Sequence, residues 1–349
     1  MTDAEAPSDA APAASPWKKV ALGGVVVVLA ALLVVAFTPL FDDDLSGEPE
    51  AMLTYDEAVT AARALEARDG DDVAPECRSR VVDQGERTAK AVVLLHGFTN
   101  CPAQFEVIAE AYADQGVSVV VPRLPHHGLS DRLTDDLSEL TPGELVELTG
   151  DAVDIAAGLG DEVTVVGLSA GGSLAAWAAA NRDDVGEAVL IAPLVAPKVL
   201  PVPVVEPFAR LARLGPDVHL WWDSDLKGDL ATPPYAYPRY SLRSLGAVLA
   251  VGRAAHGDIG RDEPLDRLVV VTNENDGAVS NAAVGILASA LVQVADAETI
   301  YVFPEDLGLG HDVVDPEGED KDGLPESYAV LGDLLDLPEL VERLDDREG

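Results

Sequence analysis

The sequence predicts an α/β fold: a mostly parallel central sheet with helices on both faces. Three observations predict it. From about residue 90 onward, short runs of Val, Ile, Leu and Ala alternate with longer segments of helix formers, the pattern of strands laid parallel and covered on both sides. One junction, Val163 to Gly172, runs from an apolar strand through Gly167-Leu168-Ser169-Ala170-Gly171 into a helix-forming run from Ser173 to Ala180. That is a G-x-S-x-G pattern in its strand–turn–helix setting. Asp and His candidates for partnership with Ser169 also fall directly after strands, where the working residues of such sheets sit.

Taken in order, residues 1–17 are Ala/Pro/Asp-rich and read as a disordered cytoplasmic tail. Lys18 and Lys19 precede Val20 to Leu40, 21 residues without a charge, and Asp42, Asp43 and Asp44 follow. A run of that length just crosses a bilayer. Basic residues before it and acidic ones after place the N-terminus inside and the remainder outside. The expectation is an uncleaved signal anchor over residues 18–41, a single-pass cell-membrane protein and an extracytoplasmic domain. A cleavable signal peptide is the alternative; the run is long for one, and no clear A-x-A site precedes the acids. Residues 42–50 read as a linker and 51–349 as the folded domain.

Met52 to Arg68 carries Leu53, Ala58, Val59, Ala62 and Leu65 at helical spacing and ends at Gly70, so it reads as an amphipathic helix. Strands follow at Ala91–Leu95, Val117–Val121, Val163–Gly167, Ala188–Ile191, Leu268–Thr272 and Glu298–Phe303. Between and after them, helices are expected over Pro102–Gln115, Pro142–Leu159, the segment ending at Asn181, Ala282–Val292, and Glu326–Leu344 with a break near Pro338. An irregular insert occupies about residues 197–266. No internal repeat is present.

The chemistry is organised around Ser169. A serine hydroxyl is a weak nucleophile and must be presented to a base. A sharp strand-to-helix turn does this at the cost of backbone strain. It also aims the N-terminus of a helix at the site, where a developing oxyanion is stabilised. Of six histidines, His311 lies in Gly308-Leu309-Gly310-His311-Asp312, just past the last strand, and is the candidate base. The preceding strand runs into Asn273-Glu274-Asn275-Asp276-Gly277. Asp276 is the candidate acid that orients His311, with Glu274 and Asp258 as rivals. Ala170 N–H is one candidate oxyanion donor. Phe98, in the His96-Gly97-Phe98-Thr99 loop, supplies the other, with Thr99 as a further donor. His96 reads as a structural residue of that loop, and His126 and His127 as residues shaping the next one.

On these pieces the chain resembles the α/β-hydrolase superfamily, in particular its bacterial carboxylesterases and monoacylglycerol lipases. The matching segments are Leu94 to Thr99, Pro122 to Gly128, Gly167 to Gly172, Asp276 to Val279 and Gly310-His311, in the family's order from about residue 90 to 345. The resemblance implies Ser169 as nucleophile, Asp276 and His311 as its partners in the order Ser, Asp, His, and Phe98 and Ala170 as oxyanion donors. It also implies a lid at the insert. Trp221, Trp222, Tyr235, Tyr237 and Tyr240 cluster there. They are expected either to bind substrate, Trp221, Trp222, Tyr235 and Tyr237 above all, or to form the insert's own small core. His219 and His256, also in the insert, read as structural.

Cys77 and Cys101 are the only cysteines. Outside the cytoplasm two cysteines suggest a disulfide. A metal site is not expected from two thiols and no local histidine cluster, and no organic cofactor is implied. The chain carries 62 acidic and 23 basic residues, a net charge of -39, so nucleic acid is excluded as a partner. Salt-loving organisms use such acidic surfaces, in which salt screens the self-repulsion. Anionic substrates would be repelled at low salt, which favours a neutral ester or lipid. The expectation is a membrane-anchored serine hydrolase cleaving carboxylic esters. A thioesterase, a peptidase, a perhydrolase or a non-catalytic binding protein on the same fold is the alternative.

Overall fold

The computed structural model describes Val34, Leu45, Ser46 and residues 53–222, 233–257, 259–318 and 321–348. The anchor expected over residues 18–41 therefore lies, Val34 aside, outside the described residues. Among the described residues no helix is long and apolar enough to cross a membrane.

The elements follow from local sequence. Helix α1 (Tyr55–Glu66) opens on a capping box in which Thr54 and Glu57 satisfy each other's backbone N–H. Strands β1 (Arg80–Val82) and β2 (Thr88–Leu95) follow, then α2 (Glu106–Asp114) and β3 (Ser118–Val121). Helix α3 (Pro142–Leu159) has Pro142 in its first turn and a second capping box from Thr141 and Glu144. Next come β4 (Gly160–Leu168), α4 (Ala170–Asn181) and β5 (Glu187–Ile191). The insert then forms α5 (Val202–Leu214), β6 (His219–Trp221), β7 (Arg239–Ser241) and α6 (Leu242–Ala254). The chain returns through β8 (Arg267–Asn273), α7 (Asn281–Leu291), β9 (Glu298–Phe303), α8 (Leu324–Leu334) and α9 (Leu340–Glu348).

Seven strands form one sheet in the order β1-β3-β2-β4-β5-β8-β9. All neighbours are parallel except β1, which lies antiparallel on β3. The inner strands are buried on both sides, so they read as continuous apolar runs rather than alternating ones. Alternate residues still divide between the faces. Ala91, Val93, Leu95, Val163 and Val165 pack with α1, α3, α4, α6 and α7, whereas Val92, Leu94, Val166 and Leu168 pack with α2, α8 and α9. Each such fully buried Val or Leu contributes roughly 1.5–3 kcal/mol. A mostly parallel sheet with helices on both faces is thus the observed architecture. The sequence reading missed the three-residue β1 and the insert's own elements. A strand that short at a sheet edge has too few residues to show a period.

Cys77 and Cys101 form a disulfide, which ties the chain ahead of β1 to the loop after β2. Gly128 packs against it with φ +68°, and a Cβ there would stand 2.6 Å from the Cys77 Cβ. Both the backbone conformation and the space call for glycine.

Candidate active site

Ser169 joins β4 to α4 in a conformation that L-residues seldom adopt, φ 58° and ψ -113°. Its surroundings over-determine it. Ser169 N–H donates to Ile191 O at 2.9 Å, and Ser169 O accepts from Leu194 N–H at 2.9 Å and Ser173 N–H at 3.0 Å. The flanking glycines are a matter of space. A Cβ on Gly167 would lie 2.1 Å from Gly171 O, and one on Gly171 would lie 1.8 Å from Leu95 O. Ala170 is the first residue of α4, so its N–H has no acceptor within the helix.

His311 and Asp276 are brought together from the loops after β9 and β8. His311 Nδ1 lies 2.8 Å from Asp276 Oδ2, and the other carboxylate oxygen accepts from Ala278 N–H and Val279 N–H, each at 2.8 Å. Burial alone would raise the Asp276 carboxyl; the hydrogen bond and charge of His311, with the two backbone N–H groups, outweigh it and hold the group below the usual carboxylate range. An ionised Asp276 takes the Nδ1 proton as acceptor, so Nε2 carries the basic lone pair. Asn273 fixes the two loops to each other by donating to Leu309 O at 2.7 Å and to Gly310 O. Of the rival acids, Glu274 accepts instead from Glu305 N–H at 2.9 Å, and Asp258 lies outside the described residues.

The loop after β2 approaches both Ser169 and the loop that carries His311. A Cβ on Gly97 would be 3.6 Å from that of Ser169. His96 is fully buried and neutral in function. Its Nδ1–H donates to Gly97 O at 2.9 Å, while Nε2 accepts from Leu124 N–H at 3.0 Å, and burial holds its pKa well below the ordinary value. His127 is also buried, donates to Pro125 O at 2.8 Å, and is lowered by burial to about 4. His126 lies 2.8 Å from Asp136 and 3.3 Å from Glu144. All three shape loops. The Phe98 ring meets His127, Trp222 and Tyr240 edge-on at 6.0, 6.1 and 5.7 Å.

The insert reaches the same loop. Trp222 Nε1–H donates to Thr99 Oγ1 at 2.8 Å, Tyr237 N–H donates to Thr99 O at 2.8 Å, and Thr99 itself has φ 66°. Trp222 leaves half its surface open and stacks tilted on Tyr240 at 4.4 Å. Tyr235 and Tyr237, expected as substrate-binding side chains, are buried with both hydroxyls engaged. Tyr235 donates to Asp315 at 2.6 Å. Tyr237 donates to His126 O at 3.1 Å and accepts from Leu129 N–H at 2.9 Å. They clamp the insert to the sheet domain. Trp221 is partly buried on β6. His219 sits between Asp135 and Asp217, and His256 bonds Arg253 O.

Sequence reasoning missed Asn100, Gln104, Asp312 and Asp315. Gln104 accepts from Gly97 N–H and donates to Asp312, both at 2.6 Å; Asn100 donates to Asp315 at 2.9 Å. No motif or spacing marks them, although Asp312 follows His311 directly. Among the described residues no group of His, Cys, Asp and Glu is arranged to hold a metal ion.

Comparison with known proteins agrees with this fold. The chain is 33% identical over 94 residues to the thermostable monoacylglycerol lipase of Bacillus sp. (strain H-257), a match covering 27% of this chain and 36% of that protein. The chain thus spans about a third of that relative. The monoacylglycerol lipase of Paleococcus ferrophilus superposes with a TM-score of 0.56 at 19% identity, over 76% of this chain and 99% of that one. A structure of the metagenome-derived lipolytic enzymes LipS and LipT gives 0.55 at 19%, over 75% and 99%. At such identities these two superpositions speak for the fold. The model of the alpha/beta hydrolase family matches residues 92–321, which include the elbow, Asp276 and His311, and the chain belongs to that family.

Proposed function

We propose that this hydrolase cleaves carboxylic esters through an acyl-enzyme on Ser169. The observation that carries the reading is the His311–Asp276 pair, held at 2.8 Å by a buried, ionised carboxylate, on the same fold as a positive-φ serine at the head of α4. Ser169 Oγ attacks the ester carbonyl. His311 Nε2 takes its proton and returns it to the leaving alcohol, and Asp276 stabilises the imidazolium meanwhile. Ala170 N–H and Phe98 N–H hold the oxyanion; losing one such donor costs on the order of 100-fold or more in rate. Water then repeats the sequence on the acyl-enzyme.

The substrate is a neutral ester or a monoacylglycerol-like lipid. The partial match to a monoacylglycerol lipase supports this, as do the net charge of -39 and the apolar rings of Phe98, Trp222 and Tyr240. The insert, which contributes Trp222 and Tyr240, serves as a lid over Phe98. The protein is anchored by residues 18–41 with its catalytic domain outside the cytoplasm. The uncharged run and the disulfide, a bond that persists in oxidising compartments, support that placement. The test is labelling by a fluorophosphonate together with turnover of a panel of esters, thioesters and aminoacyl amides. Labelling of wild type but not of Ser169→Ala, with esters preferred, is the expected result. Folded wild type that neither labels nor turns over would remove the enzyme reading and favour a binding role.

A further inference from the structure

The Gly97 peptide groups are hydrogen-bonded within their own loop, and two side chains of that loop are gripped by the loop that carries His311. The peptide between Gly97 and Phe98 has its carbonyl on one side and Phe98 N–H on the other, because a trans peptide points them apart. Gly97 O accepts from His96 Nδ1–H at 2.9 Å and from Asn100 N–H at 3.2 Å. The preceding N–H, that of Gly97, donates to Gln104 Oε1 at 2.6 Å. Gln104 and Asn100 are in turn gripped by two carboxylates of the His311 loop. Gln104 Nε2–H donates to Asp312 Oδ2 at 2.6 Å, across 208 residues of chain, and Asn100 Nδ2–H donates to Asp315 Oδ2 at 2.9 Å.

The carboxylates are themselves fixed. Asp312 Oδ1 accepts from Val314 N–H at 3.1 Å and Asp315 N–H at 3.0 Å. Asp315 Oδ1 accepts from Tyr235 O–H at 2.6 Å and Glu317 N–H at 2.9 Å. Asn100 Oδ1 accepts from Cys101 N–H at 2.8 Å. Each bridge has one polarity. A carboxylate can only accept, so the amide must turn its NH2 toward it, which for Gln104 leaves the oxygen for Gly97 N–H.

We propose that Gln104–Asp312 and Asn100–Asp315 are two positioning bridges that hold the Gly97–Phe98 oxyanion peptide in register with His311. The inference rests on the serine-esterase reading. None of the four residues is assigned a bond-making step. Their role is geometric: an oxyanion donor acts only within about 2.7–3.1 Å of the charge it stabilises, and a misplacement of 1 Å costs about 100-fold. Parallel bridges between the two loops keep base and donor from drifting independently as the acyl-enzyme forms and breaks down. Tyr235 adds the insert to the same carboxylate.

The test is a kinetic double-mutant cycle on the full-length protein. It uses Gln104→Leu, Asp312→Asn and the double variant, with competent sites counted by fluorophosphonate titration. Asp312→Asn sets an NH2 against the Gln104 NH2, and relief by rotating either amide misdirects a donor. Each single change is expected to lower kcat per site about 10–100-fold with KM within threefold, and the double variant to be no worse than the worse single, as for residues that act as a unit. Unchanged kcat per site, or losses that multiply, would overturn the inference. If Gln104→Leu does not fold, Gln104→Glu carries the test. It sets two carboxyls face to face beside Asp315, with Tyr235 and Glu317 beyond, so the bridge needs a shared proton. Its kcat relative to wild type is then expected to fall as pH rises from 5 to 8, and a flat ratio would overturn the inference. Wild type without ester turnover or Ser169 labelling would overturn the esterase reading and this inference with it; an active wild type with unaffected variants overturns the inference alone.

Discussion

The sheet and the insert hold their shares of the site by different means. At the end of β4 Ser169 is set by backbone and packing. Ser169 takes its positive φ at the turn from β4 into α4, and Gly167 and Gly171 leave room for nothing larger than hydrogen. In the insert position depends on rings and hydroxyls instead: Trp222 on Thr99, Tyr237 on His126 and Leu129, Tyr235 on Asp315. Charge separates the regions too. The 70 residues from 197 to 266 carry eight basic and nine acidic side chains, whereas the other 279 carry fifteen and 53. Nearly the whole acidic excess thus lies outside the insert. The difference teaches that Ser169, Asp276 and His311 are carried at the strand ends of the sheet, while the loop after β2, which touches the insert through Phe98 and Thr99, is the part that insert contacts can adjust.

The comparison breaks most severely in the sheet. Ser169→Ala is expected to remove about 10⁵-fold or more of kcat with Tm unchanged, measured by ester turnover and thermal unfolding. Asp276→Asn is expected to cost about 10³–10⁴-fold, since it no longer selects the productive His311 tautomer. Gly171→Ala should act through stability, because a Cβ 1.8 Å from Leu95 O forces the elbow open. A loss of at least about 3 kcal/mol in denaturant unfolding is expected, and a stable, active Gly171→Ala would refute the packing account.

In the insert the effects are smaller and of another kind. Trp222→Phe keeps the ring and deletes the bond to Thr99. About 1 kcal/mol is at stake, which corresponds to a several-fold drop in kcat with Ser169 labelling still complete. A loss as large as that of Asp276→Asn would mean that the insert governs the base as well.

The smallest effect is one of pH. Burial first, then the neighbouring Asp315 charge, raises Asp312 to about 6, and burial raises Asp315 as well. A group raised on folding contributes stability that is full below its unfolded value, about 4, and is lost as pH rises through its folded one. Tm is therefore expected to fall by a few degrees between pH 4.5 and 7, and less so in Asp312→Asn. Asp276 works in the opposite sense, since its lowered carboxyl is lost only as pH falls below about 4, outside that window.

Much of this was legible in the sequence. The apolar runs of β2, β4, β5 and β8 are strands because residues buried on both faces must be apolar throughout, and that is readable at each position. Ser169 between Gly167 and Gly171 is legible because a sharp turn constrains its immediate neighbours. Asp276 and His311 stand out by following strands, and the structure places them in one hydrogen bond. Tyr235 and Tyr237 show where such reading ends. An aromatic cluster in an insert has the same composition whether its hydroxyls face a substrate or, as here, bond to His126, Leu129 and Asp315.

By itself, then, the sequence determined the strand and helix pattern, the strained serine turn and the acidic character of the domain, all of which arise from near neighbours or from composition. Only the tertiary structure decided how the loop after β2 is held. Gln104 meets Asp312 across 208 residues and Asn100 meets Asp315 across 215. A single amide–carboxylate pair over such a separation has no period, no cap and no motif. It exists only because parallel strands bring the C-terminal ends of β2 and β9 to the same end of the sheet.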